Sequence, residues 1–118
     1  MSKFFVVDDS KVARHFIGKM LNELGHEVVC EADDGTDVLK LYSKCKPDFV
    51  TIDLEMPKVD GITVSNTLSK ADTNAKIIMI TSIIDKKRTM QALSSGVHTV
   101  LQKPITTEQL KEAINSFN

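Results

Sequence analysis

Apolar positions along the chain fall into short blocks that alternate between two spacings. "KFFVV", residues 3–7, carries an unbroken apolar run from Phe4 to Val7 and reads as a strand. From Ser10 to Leu24, the residues Val12, Phe16, Met20 and Leu24 recur at one helical spacing, with Ala13, Ile17 and Leu21 beside them. This predicts a helix facing the core with that whole stripe, and Gly25 stands where its C-terminal cap belongs. "EVVCEA" reads as a second strand. "DGTDVLKLYSKC", residues 34–45, reads as a short helix with Val38, Leu39, Leu41, Tyr42 and Cys45 inward, stopped by Pro47.

The alternation continues to the end. "DFVTID" is a third strand, and "EMPKVDG" is a loop marked by Pro57 and Asp60-Gly61. Ile62 to Lys70 is a weaker helix. "KIIMIT" is a fourth strand, apolar enough to be central in the sheet. "DKKRTMQALSS" is a fourth helix ended by Gly96, and "HTVLQK" a fifth strand. "TTEQLKEAINSF" is a last helix, with Thr106 and Gln109 in capping-box positions and Leu110, Ile114 and Phe117 along its apolar side. Five strands alternating with five helices predict an α/β fold, a parallel sheet covered on both faces by right-handed crossovers.

Composition narrows the function classes. A chain of 118 residues fits one domain, taken as residues 1–118. Hydrophobic residues are 42% and charged residues 26%, the balance of a globular protein. A net charge of -1 gives no electrostatic case for nucleic-acid or membrane binding. No apolar run reaches membrane-helix length, and "MSKFFVV" lacks a signal-peptide core. Cys30 and Cys45 have neither zinc nor thioredoxin spacing and read as reduced packing residues of a cytoplasmic protein.

In doubly wound sheets, sites form at the carboxyl ends of the strands. There the chain places Asp8 and Asp9 after the first strand, Asp53 after the third, Thr81 and Ser82 after the fourth, and Lys103 with Pro104 after the fifth. Each alone has an ordinary reading. Asp8-Asp9 suits a turn or helix cap, Asp53 and Thr81 are plain strand-end residues, and Lys103 is a solvated lysine. Together they form three carboxylates, a hydroxyl and an ammonium on one edge. Crowded carboxylates oppose each other's ionisation, and a hard divalent cation such as Mg2+ offsets that cost. The same set suits phosphoryl transfer to a carboxylate.

The chain resembles the receiver domain of two-component response regulators, of the single-domain chemotaxis type. "VVDDS" with Arg14, "DFVTIDLEMPKVDG", "KIIMITS", "ALSSGVHTVLQKP" and the final helix carry the resemblance over essentially the whole chain. It implies a flavodoxin-like sheet in the order 2-1-3-4-5. It implies that Asp53 is the phosphoacceptor, that Asp9 binds Mg2+ directly and Asp8 largely through water, and that the backbone carbonyl of Glu55 is a further ligand. Lys103 pairs with the acceptor and then with the phosphoryl group, Thr81 moves to bond it, and the bond before Pro104 is often cis. It further implies a sensor histidine kinase as phosphoryl donor and an effector protein as target, possibly a flagellar motor switch. The target surface is the fourth helix, fifth strand and last helix, on a monomer that catalyses its own phosphorylation without being a turnover enzyme. A phosphorelay or phosphate-sink role fits the same pattern.

Several positions stand apart. Receivers often carry an aromatic three residues before the lysine, where this chain has Val100. Glu55 and Ile83 flank the expected path of attacking water and are expected to tune dephosphorylation. Lys86, Lys87 and Arg88 form a basic run, a solvated face or a contact for an acidic peptide. His98 reads as a strand-edge residue. Two other classes compete: a Mg2+-dependent phosphohydrolase with an aspartyl nucleophile, and an interaction domain whose acceptor is unused.

Overall fold

The computed structural model describes residues 1–83 and 85–117. Among these, strands and helices alternate as β1 Lys3–Val7, α1 Lys11–Glu23, β2 Glu27–Ala32, α2 Val38–Cys45, β3 Phe49–Ile52, α3 Gly61–Ala71, β4 Ile77–Thr81, α4 Lys86–Ser94, β5 Thr99–Gln102 and α5 Thr107–Asn115. The strands form one all-parallel sheet in the order β2-β1-β3-β4-β5. β4 is fully buried as its apolar run predicts, but β3 is the middle strand.

Side chains alternate across the sheet and build two cores. On one face Phe5, Val7, Val50, Ile52, Ile77 and Met79 meet Val38 of α2, Val64 and Leu68 of α3, and Ala92 of α4. On the other, Phe4, Val6, Phe49, Ile78 and Ile80 meet Ile17 and Leu21 of α1 and Leu110, Ala113 and Ile114 of α5. Fully covered strands need no polar face, which is why they read as unbroken apolar runs.

Caps set the helix boundaries. Ser10, Asp60, Asp85 and Thr106 each accept a backbone N–H of the first turn of the helix that follows, and Thr106 with Gln109 closes the predicted capping box. Gly25 and Gly96 follow α1 and α4 with φ of 85° and 99°, a conformation that suits glycine.

Two helix expectations change. In α1, Ile17 and Leu21 are buried, whereas Val12 is 65% and Phe16 54% exposed. The helix has an apolar arc wider than the sheet can cover. In α2, the helix starts only at Val38, because Asp34 accepts the Thr36 N–H at 2.7 Å and fixes a turn there. Leu39 is exposed rather than inward.

Candidate functional site

The parallel sheet brings the predicted strand-end residues to one edge. The Asp8 N–H donates to the Ala32 carbonyl and the Asp53 N–H to the Val7 carbonyl, both at 3.0 Å, so each acid begins where its strand's ladder ends. The Lys103 N–H donates to the Thr81 carbonyl at 2.9 Å and ties the β5 end to β4. The Lys103-Pro104 bond is cis.

Carboxylate oxygens of Asp8, Asp9 and Asp53 all lie within 4.8 Å of one another. Asp8 is 1% and Asp53 7% exposed, while Asp9 opens to solvent. Lys103 Nζ lies 2.8 Å from Asp8 Oδ2 and 3.6 Å from Asp53 Oδ2. It therefore compensates Asp8 first and Asp53 second. Asp8 is held further by the Ser10 N–H, which donates to Oδ1 at 2.9 Å.

Asp53 titrates above the ordinary carboxylate range. Burial is the largest cause; the Lys103 charge opposes it, Asp8 pushes the same way as burial, the Thr81 hydroxyl opposes, and Asp9 adds a smaller push upward. Thr81 is buried, and its Oγ1 accepts the Ile83 N–H at 3.3 Å. The Asp53 carboxylate, a hydroxyl and an ammonium thus occupy one small volume with two further acids.

Glu55 and Ile83 are exposed on the loops that follow Asp53 and Thr81. Val100 is half-buried against the core and pairs with Met79, on the strand that leads to Lys103. His98 lies at the opposite end of β5, its ring 3.8 Å from that of Phe117, and takes no part in the site. Lys86, Lys87 and Arg88 are exposed at the start of α4.

The fold adds residues whose role the motif did not state. Arg14, quoted only as part of a motif, donates from Nη1 to the Asp8 carbonyl at 2.6 Å and pairs through Nε with Glu31 at 3.1 Å. It locks the acidic pair to α1 and β2. Gly61 opens α3 directly against Asp53. Its N–H donates to the Leu54 carbonyl at 2.7 Å, and a side chain there would meet the Asp53 carbonyl. The Asp-Gly pair in the sequence signalled a turn and gave no sign of this close approach.

A model of the response regulator receiver domain matches residues 4–115. The chain belongs to the response regulator receiver family. Among receivers, the chemotaxis protein CheY of Bacillus subtilis (strain 168) is 34% identical over 113 residues, spanning 96% of this chain and 94% of that one. CheY of Thermotoga maritima is 31% identical over 116 residues, spanning 98% and 97%. A chain of the crystal structure of the CheX-CheY-BeF3-Mg2+ complex from Borrelia burgdorferi superposes with a TM-score of 0.92 at 28% identity, over 97% of this chain and 87% of that one. Receiver membership makes this a response-regulator module and sets aside the phosphohydrolase reading. The observed strand order is the flavodoxin-like one that the resemblance implied.

Hard oxygen donors at the receiver's acidic edge suit Mg2+, which takes one or two carboxylates and keeps several waters. Asp8, Asp9 and Asp53 supply such donors, with Asp9 on the open side where waters fit. None of the described helices is long and apolar enough to cross a membrane.

Proposed function

We propose that this receiver is phosphorylated at Asp53 by a sensor histidine kinase and acts on an effector in chemotaxis or motility signalling. The observation that carries the reading is the convergence of Asp53 with Asp8, Asp9, Thr81 and Lys103 at one sheet edge. Bound Mg2+ would neutralise charge on the transferring phosphoryl group, held by Asp8, Asp9, Asp53 and the Glu55 backbone carbonyl. The B. burgdorferi complex contains that ion.

The protein's own groups do the rest. An Asp53 oxygen attacks phosphorus, the P–N bond to the kinase histidine breaks, and the electron pair leaves on the imidazole. Lys103 Nζ, poised between Asp8 and Asp53, turns toward the new phosphoryl oxygens. The Thr81 hydroxyl donates to another of those oxygens and draws the β4–α4 junction inward. This biases a rearrangement of α4, β5 and α5, the surface offered to the effector. Half-buried Val100 gives that surface no aromatic rotamer to flip, so coupling runs through Thr81 and α4. Glu55 and Ile83 border the water that later hydrolyses the acylphosphate. The chain works as a cytoplasmic monomer, and residues 1–118 form one domain.

Incubation with acetyl phosphate, with and without Mg2+, tests this by intact mass. One phosphoryl adduct that requires Mg2+ and is lost in Asp53→Asn is expected. Absence of an adduct in the wild type overturns the reading.

A further inference from the structure

Cys30 and Cys45 have no motif spacing, yet the fold sets their thiols together. Cys30 pairs with Phe5 in parallel register, so both point to the face that α2 covers through Val38. Leu41 and Tyr42 pack on that same core. Cys45 ends α2 three and four positions beyond them, on the same helical side. Cys45 is thus a neighbour of Cys30 across the β2–α2 packing, and both thiols are free and half-buried. Burial first, then the Cys45 sulfur, push the Cys30 thiol up to about 11. Cys30 packs against the core with its thiol held protonated, whereas Cys45 stands at the end of α2, so attack on an oxidant is assigned to Cys45.

We propose that Cys30 and Cys45 form a redox modification site, in which hydrogen peroxide drives closure of a disulfide that ties β2 to α2. The Cys45 thiolate attacks the peroxide; the S–O bond forms, the O–O bond breaks, and the leaving hydroxide takes a proton as water. The Cys30 sulfur then attacks Cys45 sulfur. The S–S bond forms, the S–O bond breaks, and the Cys30 proton leaves with hydroxide as a second water. Two thiols lose two electrons and the peroxide gains them. The bridge lies two residues from Ala32, whose carbonyl accepts the Asp8 N–H.

Hydrogen peroxide treatment of the full chain, quenched with iodoacetamide and read by intact mass and peptide mapping, tests the site. Expected are the loss of two hydrogens, joint loss of alkylation at Cys30 and Cys45, and reversal by dithiothreitol. Two thiols that remain alkylatable, oxidation of one cysteine to the sulfinic acid without a bridge, or a bridge between two chains overturns the proposal. These readouts use the wild type and need no variant to fold. In Cys30→Ser, dimedone is expected to trap a sulfenic acid at Cys45; its absence there overturns the assignment of Cys45 as the attacking sulfur.

Discussion

Asp53 stands between two like charges and one opposite charge, and its burial outweighs the help from Lys103. Its folded pKa lies above the unfolded value of 3.8. Below pH 3.8 both states hold the proton and stability is unaffected. As pH rises through 3.8, the unfolded chain releases the proton first, so stability falls until the folded pKa is passed and stays lower beyond it. Asp53→Asn removes that charge. Its melting midpoint should exceed that of wild type at neutral pH, by about 4 °C for each kcal/mol regained in a chain of this size. The advantage should vanish in melts below pH 3.8. An equal midpoint for the two proteins at neutral pH contradicts the strain assigned to Asp53. Each site residue was legible by type and by its place at a strand end. What the residue types did not state is that Lys103 lies nearer Asp8 than Asp53, a preference set by side-chain placement at the ends of three strands.

At the scale of elements, the β3–α3 connection decides how well Asp53 is held. A Cβ at Gly61 would run into the Asp53 carbonyl and stand 2.9 Å from Leu54 Cα. Neither obstacle is a flexible side-chain end, so backbone must shift. Gly61→Ala should lose about 1–3 kcal/mol in urea denaturation, as overpacked positions do. It should also take up phosphoryl from acetyl phosphate more slowly, because the shift moves Asp53 itself. Wild-type stability together with wild-type uptake counts against this close approach. Helix periodicity located α1 and α5 well, since their caps and apolar spacing agree. It overstated the inward faces of α1 and α2. Spacing identifies which residues share a side but not how wide an arc the neighbouring sheet can cover, and so Val12, Phe16 and Leu39 lie outside.

Across the whole molecule, the end of the sheet opposite the acidic edge is closed by aromatic rings. Phe49 stacks on Phe4 at 4.9 Å and meets Phe117 edge-on at 5.1 Å, and Phe117 stacks on His98. This row joins the starts of β1, β3 and β5 to the residue that follows α5 and α5's Ser116 cap. Phe49→Ala should cost about 3–5 kcal/mol, the usual loss for a buried phenylalanine. Phe49 stands roughly 13 Å along the strand from Asp53, at about 3.3 Å per residue. Uptake of phosphoryl well below the melting midpoint should therefore be retained. Thermal melts paired with the acetyl phosphate assay check both halves, and a variant that folds but takes up no phosphoryl argues against a site independent of this end.

The sequence by itself determined the element order, the parallel sheet and the acids, hydroxyl and lysine at its carboxyl edge. Those features rest on local periodicity, caps and breakers, which are properties of neighbouring residues. Tertiary structure alone decided the contacts between elements far apart in the chain: the clamp of Arg14 on Asp8, the seat of Gly61 on Asp53, and the meeting of Cys30 with Cys45. The cysteines carried no motif because a strand and the helix after it need no fixed spacing to touch. Packing brings their sulfurs together once the crossover has closed, and no local pattern encodes that distance.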